Sequence, residues 1–391
     1  MSLSSHSPSS PPYARLSFYY LFYFAALGSF APYWSIYLQH LNFSAIEIGE
    51  LVAVFMFSKF LAPLVWGWLA DYSGQRLKWI RVAAFLSIVT LIPLFMQKSY
   101  AWIAGLTLLF GFFWNASLAQ FEGLTLNHLG EQKSRYSWVR LWGSIGFIIA
   151  VAALPSLFEK SGISILPWVL LCFFVLIWLS TWLVTDKPHS AHPDDKQDLS
   201  TVIKHPMVIA LLLACILQAV SHGAYYTFFS IYLEDLGYSR DFVGWMWALG
   251  VLAEVILFMF VYRLFNRFAA YKLFAASLLI TAIRWGLLAE FTEYTAVLWF
   301  SQLLHAASFG LFHASAIHLI HDWFPGNLQG RGQALYAGLS FGLGGAIGSI
   351  LSGYLWELTT TAISFLTMAA FALMAWLIAV IFIKKSTLWS T

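Results

Sequence analysis

Five charged side chains fall inside apolar runs of this chain: Lys59, Glu122, Arg140, Glu254 and Arg284, with His222, His305, His313 and His318 beside them. A charge at the centre of a bilayer costs about 2.5–3.5 kcal/mol on insertion scales, so such residues usually face a cavity or a partner. Carboxylates and imidazoles in that setting can take up and release protons, and cations can hold an anion or neutralise an acid. Glu122 and Arg140 flank a short connection and predict a pair across neighbouring helices. Glu254 and Arg284 predict a second pair in the other half of the chain. For any one of them, interhelical glue is the plain alternative. A cluster of five charges is a costly way to hold helices together, so an aqueous cavity is the expectation for the set. Lys59 leaves three roles open: snorkelling to the interface, binding an anionic solute, or neutralising Glu50 or another carboxylate. A histidine on an apolar helix is more often a hydrogen-bonded packing residue than a proton carrier. His305 stands apart because it shares its half of the chain with Glu254 and Arg284, whereas His318 and His321 fall at a helix end.

The elements that carry these residues are membrane spans. Of 391 residues, 60% are hydrophobic and 10% charged, and the mean hydropathy is +0.74. Soluble domains average about 25% charged residues, which excludes an ordinary soluble enzyme. A run of about 20 apolar residues crosses a bilayer as a helix. The roughly 10-residue alternating segments of a membrane barrel are absent. A disordered chain is excluded by the apolar content. The net charge of +3 is too small to suggest nucleic acid as a partner. Cys172 and Cys215, the two cysteines, both lie in apolar runs and do not suggest a disulfide framework. The Ser/Pro-rich N-terminus runs straight into a full-length span, with no cleavable signal peptide.

Twelve spans are predicted: 16–38, 46–70, 79–97, 101–127, 137–158, 165–185, 206–233, 241–265, 270–289, 295–320, 329–356 and 361–383. The connection after the sixth, TDKPHSAHPDDKQDLSTVIKHP, is the longest polar stretch and carries three prolines. It predicts an all-α membrane protein of two six-helix bundles, residues 1–185 and 206–391, joined by a cytoplasmic linker at 186–205. The aromatic clusters GSFAPYWSIYL in the first span and GAYYTFFSIYL in the seventh support an internal repeat of this kind. Rings facing a cavity could also stack on an aromatic or sugar substrate, with packing as the bland alternative. With the N-terminus in the cytoplasm, 15 of the 21 Lys and Arg residues fall on the cytoplasmic side, Lys133, Lys187, Lys196 and Lys385 among them, and only Lys98, Lys160 and Arg240 fall outside. The positive-inside rule therefore predicts both termini inside.

The loop after the second span reads WGWLADYSGQRLK, and Gly67, Asp71, Gly74 and Arg76 fit the spacing G-x-x-x-D-x-x-G-x-R/K. Glycines permit the tight turn and close helix approach. Asp71 can accept hydrogen bonds or face a helix N-terminus, and Arg76 can anchor the loop at anionic headgroups. An ordinary basic turn is the alternative. The eleventh span is glycine-rich, with small-x-x-x-small patterns suited to close packing. The histidines of HASAIHLIH have nothing around them of metal-site character.

The loop motif and the twelve spans resemble the major facilitator superfamily. Within it the chain resembles the oligosaccharide:proton symporter group that includes lactose permease, and more closely the bacterial 3-phenylpropionate/cinnamate transporter type. The stretches VRLWGSIGFIIA, HGAYYTFFSIYLEDLGYS, VGWMWALGVLAEVILF, AIRWGLLAE and LLHAASFGLFHASAIHLI carry this likeness, which covers essentially the whole chain. It implies that Glu122 and Arg140 match the sugar-contacting charge pair of lactose permease-like proteins, and that Glu254 matches the acid that joins substrate binding to proton coupling. Arg284 and His305 match the arginine and histidine of the ninth and tenth spans. One position departs: the permease carries a proton-bearing glutamate three residues after that histidine, and here Ser308 stands there. Glu254 or Glu122 is left to carry the proton, or coupling works differently.

These readings predict a secondary transporter of a small solute in the cell inner membrane, working by alternating access. The coupling ion is H+, no cofactor is expected, and a monomer is the default for the fold. An aromatic carboxylate such as 3-phenylpropionate is the first substrate expectation, from the likeness and from the cations Lys59, Arg140 and Arg284. A sugar or nucleoside is the second. An integral membrane enzyme would need a catalytic set at one interface. His313–Asp322 is the only candidate stretch, and no partner set completes it. A sensor or scaffold on the same fold would need a signalling domain that the sequence lacks.

Overall fold

The computed structural model describes residues 11–186, 199–324, 326 and 328–384. Most of the predicted linker, with Lys187 and Lys196, lies outside the described residues, as does Lys385. Among the described residues there are twelve long helices: α1 Tyr13–His40, α2 Ala45–Ser73, α3 Arg76–Phe95, α4 Tyr100–Leu129, α5 Tyr136–Ser161 and α6 Leu166–Thr181, then α7 Pro206–Asp235, α8 Arg240–Arg267, α9 Ala270–Glu290, α10 Thr295–Trp323, α11 Leu328–Leu358 and α12 Thr361–Phe382. All twelve predicted spans are therefore found as helices. No strand occurs among the described residues.

Local chemistry sets several boundaries. The Ser44 hydroxyl oxygen accepts from the Glu47 amide and the Glu47 carboxylate accepts from the Ser44 amide, a reciprocal box that satisfies two free N–H groups at the start of α2. Gly74 ends α2 at φ +65°, a left-handed conformation that costs a residue with a Cβ. Ser239 and Thr360 cap α8 and α12. Eleven of the helices are long and apolar enough to cross a membrane. The exception, α1, carries Tyr19, Tyr20, Tyr23, Tyr33 and Tyr37, whose hydroxyls lower its hydropathy. Those rings are buried inside the protein rather than in lipid. Tyr19 stacks on Phe121 of α4 with centroids 3.6 Å apart, and its hydroxyl donates to Ser117 Oγ at 2.8 Å.

Within the first half, α1 packs on α5 and α6, and α4 on α2 and α3. Within the second, α12 packs on α7 and α9, and α10 on α8 and α9. Each half has a hydrophobic core of its own. The halves meet through α2 against α11, α5 against α8 and α1 against α7. At the end carrying the α1–α2 turn the contact is close. A Cβ on Gly49 would lie 2.6 Å from the Ser349 carbonyl oxygen, and one on Gly244 2.2 Å from that of Val151. Such approach between backbones is what small residues at membrane-helix interfaces permit. Toward the other end α8 is uncovered: its buried residues all lie between Val243 and Gly250.

Two of these helices carry π-helical turns, α10 at Ala306–Leu311 and α11 at Gly338–Gly344. Such turns insert a residue into the helical register and are frequent at functional sites. They meet at one level, where Phe309 and Phe341 lie with ring centroids 5.9 Å apart.

Candidate functional site

The membrane-embedded polar residues gather on the inward faces of the two halves. In the second half, Arg284 of α9 is fully buried. Its Nη1 donates to Ser308 Oγ and approaches His305 Nδ1, both at 3.0 Å, and Nη2 donates to Gln302 Oε1 at 3.4 Å. The guanidinium lies 4.3 Å from the Tyr225 ring centre and 4.6 Å from that of Trp285. Those aromatic faces favour a cation that has left water. Tyr225 in turn donates its hydroxyl to Gln302 Oε1 at 2.8 Å.

The predicted Glu254–Arg284 pair does not form, because the His305 ring lies between them. An arginine N–H can only donate, so His305 Nδ1 must accept. In the neutral ring the proton then sits on Nε2, which lies 3.9 Å from Glu254 Oε2. The imidazole thus stands between the two groups, Nδ1 accepting from the guanidinium and Nε2 facing the carboxylate beyond hydrogen-bond distance.

The first half departs from expectation in a similar way. Glu122 and Arg140 form no ion pair among the described residues. Tyr136, one turn before Arg140 on α5, donates its hydroxyl to Glu122 Oε1 at 3.2 Å. The Arg140 guanidinium lies over the Phe24 ring of α1 at 3.7 Å. Arg140 lies on α5, which packs across the interface against α8, the helix that carries Glu254.

Lys59 also lacks a carboxylate partner among the described residues. Glu50, one of its candidate partners, instead accepts from the Tyr100 hydroxyl at 2.6 Å. The lipid-facing stripe of α2 carries the exposed Phe57, Leu64, Trp68 and Tyr72, whereas Lys59 shares the face of the buried Val52, Phe55, Ala62 and Trp66. Its ammonium lies 5.1 Å from the Phe55 ring centre. Lys59 is thus on the protein-facing side of α2 and in no ion pair with Glu50 or another carboxylate among the described residues.

The remaining histidines have other partners. His222 is buried, with Nδ1 2.8 Å from the Gln218 carbonyl oxygen. His313 shares a hydrogen bond with the Tyr336 hydroxyl. His318 is exposed beside Asp322. Among the described residues, no three His, Cys, Asp or Glu side chains converge in a way that could hold a metal ion.

The loop motif forms a built turn. Arg76 Nη2 bonds Asp71 Oδ1 at 3.0 Å. The Arg76 guanidinium lies over Gly123 of α4, where a Cβ would come within 2.5 Å of Nη1. Gly67 admits Gln120 of α4, whose Nε2 would stand 3.5 Å from an added Cβ. The motif therefore locks α2, α3 and α4 together.

Gln218, Gln302 and Tyr225 belong to the polar network but were not singled out in the sequence. The two buried glutamines were visible signals, because an amide in a span needs partners just as a charge does.

The MFS_1 like family matches residues 13–367. The chain is 28% identical over 348 residues to a probable 3-phenylpropionic acid transporter of Escherichia coli, covering 86% of this chain and 89% of that one. It is 26% identical over 350 residues to the maltose permease of Geobacillus stearothermophilus, covering 87% and 86%. Its fold matches the crystal structure of a mutant of the nucleoside transporter NupG with a TM-score of 0.83 at 16% identity, over 95% of this chain and 100% of that one. The chain therefore belongs to the MFS_1-like family and is a multi-span membrane transporter of the major facilitator superfamily.

Proposed function

We propose that the protein is a proton-coupled symporter of a small aromatic monocarboxylate such as 3-phenylpropionate, resident in the bacterial inner membrane with both termini in the cytoplasm. One observation carries the reading: Arg140 and Lys59 face the protein interior with no carboxylate partner among the described residues. Arg284 has neutral acceptors around its guanidinium, whereas Arg140 and Lys59 show only a ring face each, and a transported carboxylate supplies the charge that pairs with them. Arg140 is the anion ligand, because its planar fork matches a carboxylate, and Lys59 adds a second positive charge. The name of the E. coli relative supports the same class.

In this reading Glu254 carries the proton, with His305 and Arg284 behind it, and Glu122 borders the substrate. Protonated Glu254 and bound anion together leave Arg140 fully compensated. The halves 1–185 and 206–391 then rock about the site, exposing it to each side in turn. A monomer suffices for this cycle. A neutral sugar or nucleoside is the second reading. It is favoured by Glu122, which accepts from Tyr136 and keeps acceptor capacity for a solute hydroxyl.

The test is uptake of radiolabelled 3-phenylpropionate into proteoliposomes with and without an inward proton gradient, with maltose and a nucleoside in parallel. Gradient-driven accumulation of the aromatic acid alone supports the proposal. Accumulation of only a neutral solute moves the protein to the second reading, and accumulation of none overturns both.

A further inference from the structure

The second half presents an aromatic wall at the level of the paired π-helical turns. His305, Phe309 and His313 rise along one face of α10 as a ladder of near-parallel rings. Centroids are 5.4 Å apart at 3° and then 6.3 Å apart at 7°. Phe341 of α11 closes against it, 5.9 Å from Phe309 and 6.0 Å from His313. Tyr336 backs the wall, fully buried, and bonds His313 Nδ1 through its hydroxyl at 2.9 Å.

Three features mark this as a site rather than core. Phe309, His313 and Phe341 each keep partial exposure in the middle of their spans. That exposure is toward the interior, because His305 on the same face meets Arg284 and Glu254, while the lipid-exposed residues of α10 are Trp299, Phe300 and Leu303. Both phenylalanines also sit within the π-helical turns Ala306–Leu311 and Gly338–Gly344, where the inserted residue re-aims side chains. Arg140 belongs to the other half, on α5, which packs against α8 across the interface. One half thus offers cations and the other offers ring faces.

We propose that Phe309, Phe341 and His313 form the subsite for the planar ring of the transported anion, while its carboxylate is held by Arg140 in the opposite half. The substrate then bridges the two halves, which ties its binding to their closure. A flat ring stacks offset or edge-on against these faces, and a puckered ring of similar volume cannot. The inference rests on the reading of the protein as an arylalkanoate transporter and adds how the ring is selected.

The experiment is competition against radiolabelled 3-phenylpropionate in the full chain in proteoliposomes. Unlabelled 3-phenylpropionate and 3-cyclohexylpropionate are compared in the wild type, Phe309→Leu, Phe341→Leu and Phe309→Tyr. Leucine preserves apolar volume, and thermal unfolding of each variant checks folding. Stacked pairs contribute about 0.5–1.5 kcal/mol, so each leucine variant should weaken the phenyl acid about two- to tenfold and leave the cyclohexyl acid within about twofold. Phe309→Tyr should retain the preference. If the wild type binds the phenyl acid and folded leucine variants keep the full preference for it, the ring subsite is wrong while the transport reading stands. If the wild type binds neither acid, both fall together.

Discussion

Arg284 Nη1 lies 3.0 Å from Ser308 Oγ, at the position where the permease-like pattern places a carboxylate. Arg284 is consequently a buried guanidinium held by neutral acceptors, Ser308, His305 and Gln302, and by ring faces. Glu254 stands beyond the imidazole, its Oε2 3.9 Å from His305 Nε2, and is the proton carrier of the proposed cycle.

Glu254→Gln should therefore abolish accumulation against a gradient, while substrate exchange at equal concentrations persists. Glu122→Gln should keep accumulation. The comparison is made by running gradient-driven uptake and counterflow on both variants. Accumulation that survives in Glu254→Gln removes Glu254 as the carrier.

Moving the acid back should rescue the loss. Ser308→Glu places a carboxylate against Arg284, and the double variant Glu254→Gln/Ser308→Glu should regain part of the accumulation. The single variant Ser308→Ala loses one hydrogen bond to a charged donor, about 1.5–3 kcal/mol. That loss should appear as a lowered unfolding temperature in detergent.

One proton moving with one monoanion transfers no net charge. A membrane potential acts on net charge at about 2.3 kcal/mol per 100 mV, so uptake should follow the pH gradient and ignore an imposed potassium diffusion potential. A strong response to potential would require a second proton or a different coupling ion.

The closed end of the interface depends on a contact between the halves. Glu357 of α11 accepts the Ile46 amide at 2.9 Å, in the first turn of α2, and therefore sits at the positive end of that helix. Glu357→Gln keeps an acceptor and removes the charge, worth about 0.3–1 kcal/mol at an exposed helix terminus. Labelling of a cysteine introduced beside the seam should accelerate by about the fold-change that this energy implies, roughly two- to fivefold. Gly49→Val should act more strongly, because its first side-chain atom would meet Ser349 backbone at 2.6 Å. Transport should stop in that variant, which should still reach the membrane.

The loop motif was legible as a motif, and its pieces are found where the spacing implied: a left-handed Gly74, an Asp71–Arg76 bridge and helix approach at Gly67. Substituting Gly74 by Ala forces a Cβ into the left-handed region, at about 1–3 kcal/mol. A fall in unfolding temperature with unchanged substrate preference is the expected outcome.

The sequence by itself determined the twelve helices, because membrane spans are set by run length and by the need to satisfy every backbone hydrogen bond within a segment. It also determined which charges lie inside them, since no apolar run hides a Lys, Glu or Arg. Partner choice was decided only in three dimensions. Glu122 and Arg140 read as a pair from chain proximity, yet a helix sends neighbouring residues in different directions. Tyr136 and Phe24 reached the two groups first. His305 came between Glu254 and Arg284 because α8, α9 and α10 meet at its ring, a convergence that span order does not encode. The π-helical turns were hidden for the same reason. An inserted residue leaves the composition of a span unchanged, and the close approaches inside these turns, Gly310 to Glu254 and Gly342 to Phe60, are contacts between helices that span order does not encode.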